Sequence, residues 1–215
     1  MKQKHFSLAV LLTMLIGLTV GCPIANGQDI NLPTPQKEMK GGELMQALQN
    51  RHSVRSYSNT KLSEQTLSNL LWAANGVNRE DGRRTAPSAI NAQDIEIFVG
   101  MADGVFHYMP MDNKLSKVSD GNLAKLIIGR NKFILDAPVV ILLVSNQAKF
   151  SHFPGTTLAA MDAGYVSQNI CLYCSAFGLA TVPCAPKMDA ENVQKMLGLS
   201  ADYLPLIYHP VGYSK

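Results

Sequence analysis

The stretch QNRHSVRSYSN, residues 49–59, sets Arg51, His52, Ser53 and Arg55 almost side by side. A guanidinium is a planar fork that can meet a phosphate bidentately, and a serine hydroxyl adds a neutral donor. In an extended chain Arg51, Ser53 and Arg55, at i, i+2 and i+4, point to one side. In a helix Arg51 and Arg55 still share a face. The pattern suits an anion, and it also suits a solvated basic turn. A second stretch, PSAINAQ at residues 87–93, places Pro87 and Ser88 in a turn and sets Asn91 and Gln93 just before an apolar run. An amide offers donor and acceptor together, which fits the polar edge of a planar ring. Asparagine and serine are also ordinary turn formers.

Other reactive residue types carry less. Cys171-Leu172-Tyr173-Cys174 is a C-x-x-C, a spacing used in redox and zinc sites. It lies inside a long apolar segment rather than at a helix N-terminus, so both thiols read as small buried hydrophobes. His152 and His209 make no metal-ligand spacing with the cysteines. His107 and Tyr108 fall on a strand and read as structural. Trp72, the single tryptophan, reads as a core or interface anchor. Met101, Met109 and Met111 read as packing and loop residues.

The elements that must position these groups are legible from periodicity and caps. Residues 41–50 read as a helix with Leu44, Met45 and Leu48 on one face. Ser63 is an N-cap, with Leu62 and Leu67 at the two positions of a hydrophobic staple. Leu67, Leu70, Leu71 and Ala74 keep the helical rhythm up to Gly76. Residues 77–94 read as loop. IEIFVG (95–100) and VFHYM (105–109) read as a hairpin around Ala102-Asp103-Gly104. Residues 121–135 read as a helix. APVVILLVS (137–145) is a continuous apolar run and reads as a central strand. A long apolar helix spans 157–177 up to Gly178, a short one runs from Asp189 to Gly198, and LPLIYHPVGY (204–213) is a last strand. Strands and helices mix without βαβ alternation, so the class is α+β.

The chain has 215 residues, 47% hydrophobic and 16% charged, enough for one domain with a sizeable core. A net charge of +3, spread evenly, argues against a nucleic-acid partner. Lys2 and Lys4 followed by the apolar residues 6–20 read as a secretory signal over 1–27, with Ala25-Asn26-Gly27 ahead of the cleavage point. A lipoprotein-type cleavage before Cys22 is the competing reading, and a lipid anchor there would follow from it. Residues 28–40, with two prolines, read as an extended arm, and 41–215 as the folded domain. Export to the periplasm or cell envelope is the expectation, with no membrane span in the mature chain.

Six segments in order resemble the nitroreductase-like FMN flavoproteins. RHSVRSY resembles the family's Arg-x-Ser-x-Arg opening, and LSEQTLSNLLWAANG the helix after it. RTAPSAINAQDIEIFV resembles the Pro-Ser-x-x-Asn segment and its strand. DAPVVILLV, DAGYVSQNICLYCSAFGLATVP and LPLIYHPVGY resemble the central strand, the long interface helix and the closing strand. The resemblance implies a mostly antiparallel central sheet flanked by helices, an intertwined homodimer, and FMN at the subunit interface. It implies that Arg51 and Ser53 meet the phosphate, with His52 among the cofactor-binding residues, and that Arg55 lies near the flavin N1/O2 edge, where it would stabilise a reduced anionic ring. Pro87, Ser88 and Asn91 would face the ring or its polar edge, and Pro183, Cys184 and Ala185 would pass its face. Many members carry Glu-Gly where this chain has Ala185-Pro186. Lys215 is the candidate for a C-terminal basic residue at the phosphate.

The implied activity is ping-pong hydride or electron transfer between a small-molecule donor and an acceptor, by nitro or quinone reduction or by substrate dehydrogenation. No side chain is an obligatory acid or base. The LLWAANG helix and YMPMDNKL are most similar to the branch that includes thiazole/oxazole-forming peptide dehydrogenases. A flavin carrier or sensor with little turnover, and a binder of another anionic ligand on the same fold, are the alternatives.

Overall fold

The computed structural model describes residues 42–150, 153 and 155–215. The expected signal segment, Cys22, the arm and His152 lie outside the described residues.

Six strands form one sheet in the order β3-β2-β1-β4-β6-β5, with every neighbouring pair antiparallel. The strands are β1 (Ile95–Met101), β2 (Gly104–Met109), β3 (Lys114–Ser119), β4 (Val139–Asn146), β5 (Leu179–Thr181) and β6 (Tyr203–Tyr213). β4 is central because its sequence permits burial on both faces: Val139 through Ser145 are all buried. One face packs on helix α2 (Glu64–Asn75) and helix α4 (Gly155–Ala176) through Leu67, Leu71, Ile97, Ile141, Val166 and Ile170. The other face packs on α3 (Leu123–Ile127) and α5 (Ala190–Leu197) through Phe98, Leu142, Leu123 and Val193. Helix α1 (Gly42–Asn50) leads into the first candidate stretch. The expected α+β class and antiparallel sheet are therefore present.

The caps act as their residue types dictate. Ser63 accepts from the Thr66 N–H at 3.1 Å, Asp189 accepts from the Asn192 N–H at 3.2 Å, and Gly198 closes α5 in the left-handed region at φ 66°.

One expectation needs correction, one is narrowed, and two strands lie where no element was expected. The helix expected over 121–135 is two pieces, α3 and a 3₁₀ segment at Lys132–Asp136, interrupted at Gly129 with φ 48°. KLSKVS, after the hairpin, is strand β3, an edge strand with no fully buried residue, whose largely polar sequence lacks alternation. Leu179–Thr181, directly after Gly178, is the three-residue strand β5. Trp72, expected as a core or interface anchor, is 46% exposed, which removes the core reading and leaves the interface one; its indole N–H donates to the Val77 carbonyl at 3.0 Å.

Candidate functional site

The RHSVRSY stretch leaves α1 and runs along the β5–β6 edge of the sheet. The Arg51 N–H closes the last turn on the Ala47 carbonyl at 2.9 Å. The Val54 N–H then donates to the Thr181 carbonyl at 2.9 Å, and the Ser58 N–H to the Tyr213 carbonyl at 2.8 Å. Tyr57 is fully buried, and its hydroxyl donates to the Val54 carbonyl at 2.8 Å. A buried aromatic ring and two backbone bonds thus fix the segment from behind. The side chains of His52, Ser53 and Arg55 stand exposed and Arg51 is half-buried. Among the described residues neither guanidinium makes an ion pair or a hydrogen bond. His52 Nδ1 is 2.7 Å from the Asn50 carbonyl. The Arg55 guanidinium carbon lies 6.0 Å from the centre of the Phe133 ring, at the outer limit of a cation–π contact.

Pro183, Cys184 and Ala185 lie next to this strip. Cys184 is half-buried, and burial pushes its thiol pKa up, while Tyr208 and the nearby Arg55 charge pull the other way. Pro183 and Ala185 are exposed. The Tyr208 hydroxyl accepts from Asn131 Nδ2 at 2.7 Å. Lys215 is exposed and follows Ser214, which bridges to Tyr57, so the chain end lies at this same edge. A cleft of 230 Å³ lined by His52, Val54, Ser175, Gly178 and Ser214 opens here.

The PSAINAQ loop is built differently. Its Ala89–Asn91 segment forms a 3₁₀ turn, and Ile90, Asn91 and Gln93 hold φ of 51°, 57° and 48°. Left-handed backbone is unfavourable for a β-branched residue such as Ile90, so the surroundings must impose it. They do so from three sides. The Ala89 N–H donates to both carboxylate oxygens of Asp162, at 3.0 and 2.9 Å. The Gln93 N–H donates to Ser88 Oγ at 2.9 Å, and Lys149 Nζ donates to the Gln93 carbonyl at 2.8 Å. Pro87, Ile90 and Asn91 face outward.

Asp162 is missing from the sequence-derived candidates. It is the only charged residue in the 22-residue helix α4 and is 1% exposed. Burial pushes its carboxyl up to about 6; the Ala89 N–H opposes this and the neighbouring Asp94 adds to it. Its isolation in an uncharged helix is a signal the sequence did offer.

One chain does not bring the two stretches together. The PSAINAQ loop contacts α4 at Asp162, whereas α1 contacts it at Ser175, whose hydroxyl donates to the Ala47 carbonyl at 2.7 Å. At 1.5 Å per residue these points are about 20 Å apart along the helix axis.

The cysteines of the C-x-x-C are free and buried on α4, as their apolar context predicts. Burial raises both thiol pKa values, that of Cys174 well above the usual range. His209 is also fully buried, between Ser167 Oγ at 2.9 Å and Thr181 Oγ1 at 3.2 Å, and burial lowers its pKa to about 3. His107 meets Glu96 at 3.2 Å. Burial pushes Glu96 up, but the His107 contact and the charges of Lys149 and Arg84 outweigh it and hold the carboxyl below its ordinary value. Among the described residues no cluster of metal-ligating side chains exists, and no helix is long and apolar enough to cross a membrane.

Comparison with known proteins agrees with this fold. A Methanocaldococcus jannaschii protein with a provisional nitroreductase name is 32% identical over 182 residues, covering 79% of this chain and 90% of that one. A crystal structure from Ralstonia eutropha, of a protein given the same kind of name, superposes with a TM-score of 0.73 at 29% identity, covering 86% of this chain and 88% of that one. The Escherichia coli microcin synthetase complex shares the fold, with a TM-score of 0.61 at 21% identity, covering 89% of this chain and 79% of that one. The profile described as Nitroreductase family matches residues 48–213, and the chain belongs to that family of oxidoreductases.

Proposed function

We propose that the chain is an FMN-dependent oxidoreductase whose flavin lies between two copies of the chain. The observation that carries this reading is the anchored strip in which the Arg51, Ser53 and Arg55 side chains make no ion pair or hydrogen bond among the described residues while Tyr57 and two backbone bonds hold them from behind. The Arg51 guanidinium beside the Ser53 hydroxyl fits a phosphate monoester dianion, which leaves the Arg55 charge for the ring. The separation of the PSAINAQ loop from this strip along α4 supports a pocket completed by the loop of a second copy.

FMN would supply the hydride or electron transfer. The chain's part is binding and orientation. Arg51, Ser53 and the neighbouring His52 hold the phosphate, with Lys215 near the same edge. Arg55, steadied by Phe133, offers a positive charge to the N1/O2 edge, where negative charge develops on reduction. Ser88 and Asn91 offer polar groups to the ring edge, with Pro87 beside them. Pro183, Cys184 and Ala185 cover its face. The donor and acceptor are small molecules taken in turn at the same face. Export belongs to the same proposal and rests on the basic and apolar pattern of residues 1–27.

One observation favours a second reading, an anionic-ligand binder without flavin. Pro186 has no backbone N–H to offer where many members carry glycine. The visible spectrum of the purified protein, incubated with FMN and desalted, decides. About one FMN retained per chain supports the first reading. A folded, colourless dimer rejects it.

A further inference from the structure

Asp94 and Asp162 come from segments far apart in sequence, yet both are buried and in contact. Asp94, just before β1, is 0% exposed, and Asp162, on α4, is 1% exposed. Asp94 Oδ2 accepts from the Ser145 hydroxyl, which also accepts from Gln147 Nε2 at 2.7 Å. Its other oxygen, Oδ1, is buried with no donor. Asp162 spends both oxygens on a single donor, the Ala89 N–H, and stands within hydrogen-bonding contact of Asp94. Two ionised carboxylates cannot satisfy each other, because each only accepts. One proton placed between them supplies the missing donor and removes the repulsion.

We propose that Asp94 and Asp162 share one proton, and that this acid pair is the positioning device of the Pro87–Gln93 loop. The inference deepens the flavin reading, because that loop presents Ser88 and Asn91 to the ring. The pair grips the loop at Ala89, one residue before Ile90, where the left-handed backbone begins. No other group is placed to replace it. α4 carries no second charge. The β4 end offers only the neutral Ser145 and Gln147. Of the nearby cations, Lys149 is engaged on the Gln93 carbonyl and Glu96. Arg84 donates to the Ile95 carbonyl at 3.1 Å, keeps a buried Nε–H without a partner, and meets Asp94 through its charge but through no hydrogen bond. Asn75 donates to the same Ile95 carbonyl at 3.0 Å.

The carboxyl of Asp162 titrates at about 6 in the fold against an ordinary 3.8. A raised carboxyl value means that the folded state holds the proton more tightly than the unfolded state. The pair's contribution is therefore complete below the ordinary value and is lost as pH rises through about 6.

The test uses the full chain, as wild type, Asp162→Asn and Asp162→Ala. The asparagine amide can accept from Ala89 and donate to Asp94, imitating the protonated pair at every pH. The first readout is the thermal midpoint of flavin-free protein between about pH 4 and pH 7.5. The expected result is that wild type loses stability relative to Asp162→Asn as pH rises through that window. A difference that stays constant with pH overturns the shared proton. The second readout is FMN affinity by fluorescence. Asp162→Asn should bind FMN like wild type, and Asp162→Ala should bind about tenfold more weakly. Equal affinity of the alanine variant, or failure of the asparagine variant to restore it, overturns the positioning role. If wild type itself binds no FMN, the flavin reading fails, while the flavin-free midpoints still judge the shared proton.

Discussion

Cys184 and Tyr208 exchange both of their backbone hydrogen bonds, at 2.9 and 2.8 Å, as an isolated bridge beyond the regular pairing of β5 with β6. This single bridge fastens Pro183–Ala185 to the sheet within reach of Arg55. It leaves the Cys184 thiol half-buried rather than enclosed, unlike Cys171 and Cys174. Iodoacetamide should therefore label Cys184 slowly in the native protein and leave the α4 pair unlabelled. Bound FMN should slow Cys184 further. Peptide mapping by mass spectrometry checks both; native labelling of Cys174 would contradict its burial.

Arg51→Ala should weaken FMN retention by about 10- to 100-fold, the loss expected for one charge-assisted hydrogen bond at about 1.5–3 kcal/mol. The far-UV spectrum and thermal midpoint should not change, because the Arg51 head holds no intramolecular bond. Unaltered FMN content would remove Arg51 from the phosphate site.

Gly212→Ala should destabilise the fold by about 1–3 kcal/mol. A β-carbon at Gly212 would come within 2.7 Å of Pro138 and 3.5 Å of Tyr57. Tyr57 backs the arginine strip, so FMN affinity should fall along with the midpoint in urea titration. A full-affinity variant would uncouple that ring from the strip.

Ser63→Ala should cost about 1 kcal/mol, the worth of an N-cap, with no change in flavin affinity. The side chain's bond to the Thr66 N–H is replaced by water at most in part. Denaturant unfolding measures the first effect, and FMN titration the second.

His209 supplies an opposite pH dependence to Asp162. Its pKa is lowered to about 3 by burial, from an ordinary 6.5. The folded state binds that proton less readily than the unfolded state, so His209 contributes stability above about 6.5 that drains away as pH falls toward 3. His209→Gln should flatten the acid limb of the stability profile. An acid limb identical to wild type would assign it to other groups.

Local chemistry made much of this molecule legible in its sequence. Ser63, Asp189 and Gly198 mark helix ends by residue type alone, and the short β-branched run from Val139 to Ser145 reads as a strand buried on both faces. The hidden parts depend on distant partners. β3 is polar because it is an exposed edge, so nothing in Lys114–Ser119 alternates. β5 is too short to show a period. Gly129 divides what reads as one helix through its left-handed backbone, φ 48°, a conformation that a glycine permits but does not announce. In the candidate site, Arg51, Ser53 and Arg55 could be picked out by type and spacing. Asp94 and Asp162 could not be paired that way, since they meet only once β1 is laid against α4. The bonds that force Ile90 and Gln93 to positive φ likewise come from α4 and from Lys149.

The distance along α4 between the arginine strip and the Asn91 loop has a thermodynamic corollary for the two-chain pocket proposed above. A pocket divided in this way exists only in the associated species, so cofactor occupancy and subunit association become linked equilibria. Dilution alone would then shed flavin, and FMN would tighten the dimer by the same free energy that the dimer lends to FMN.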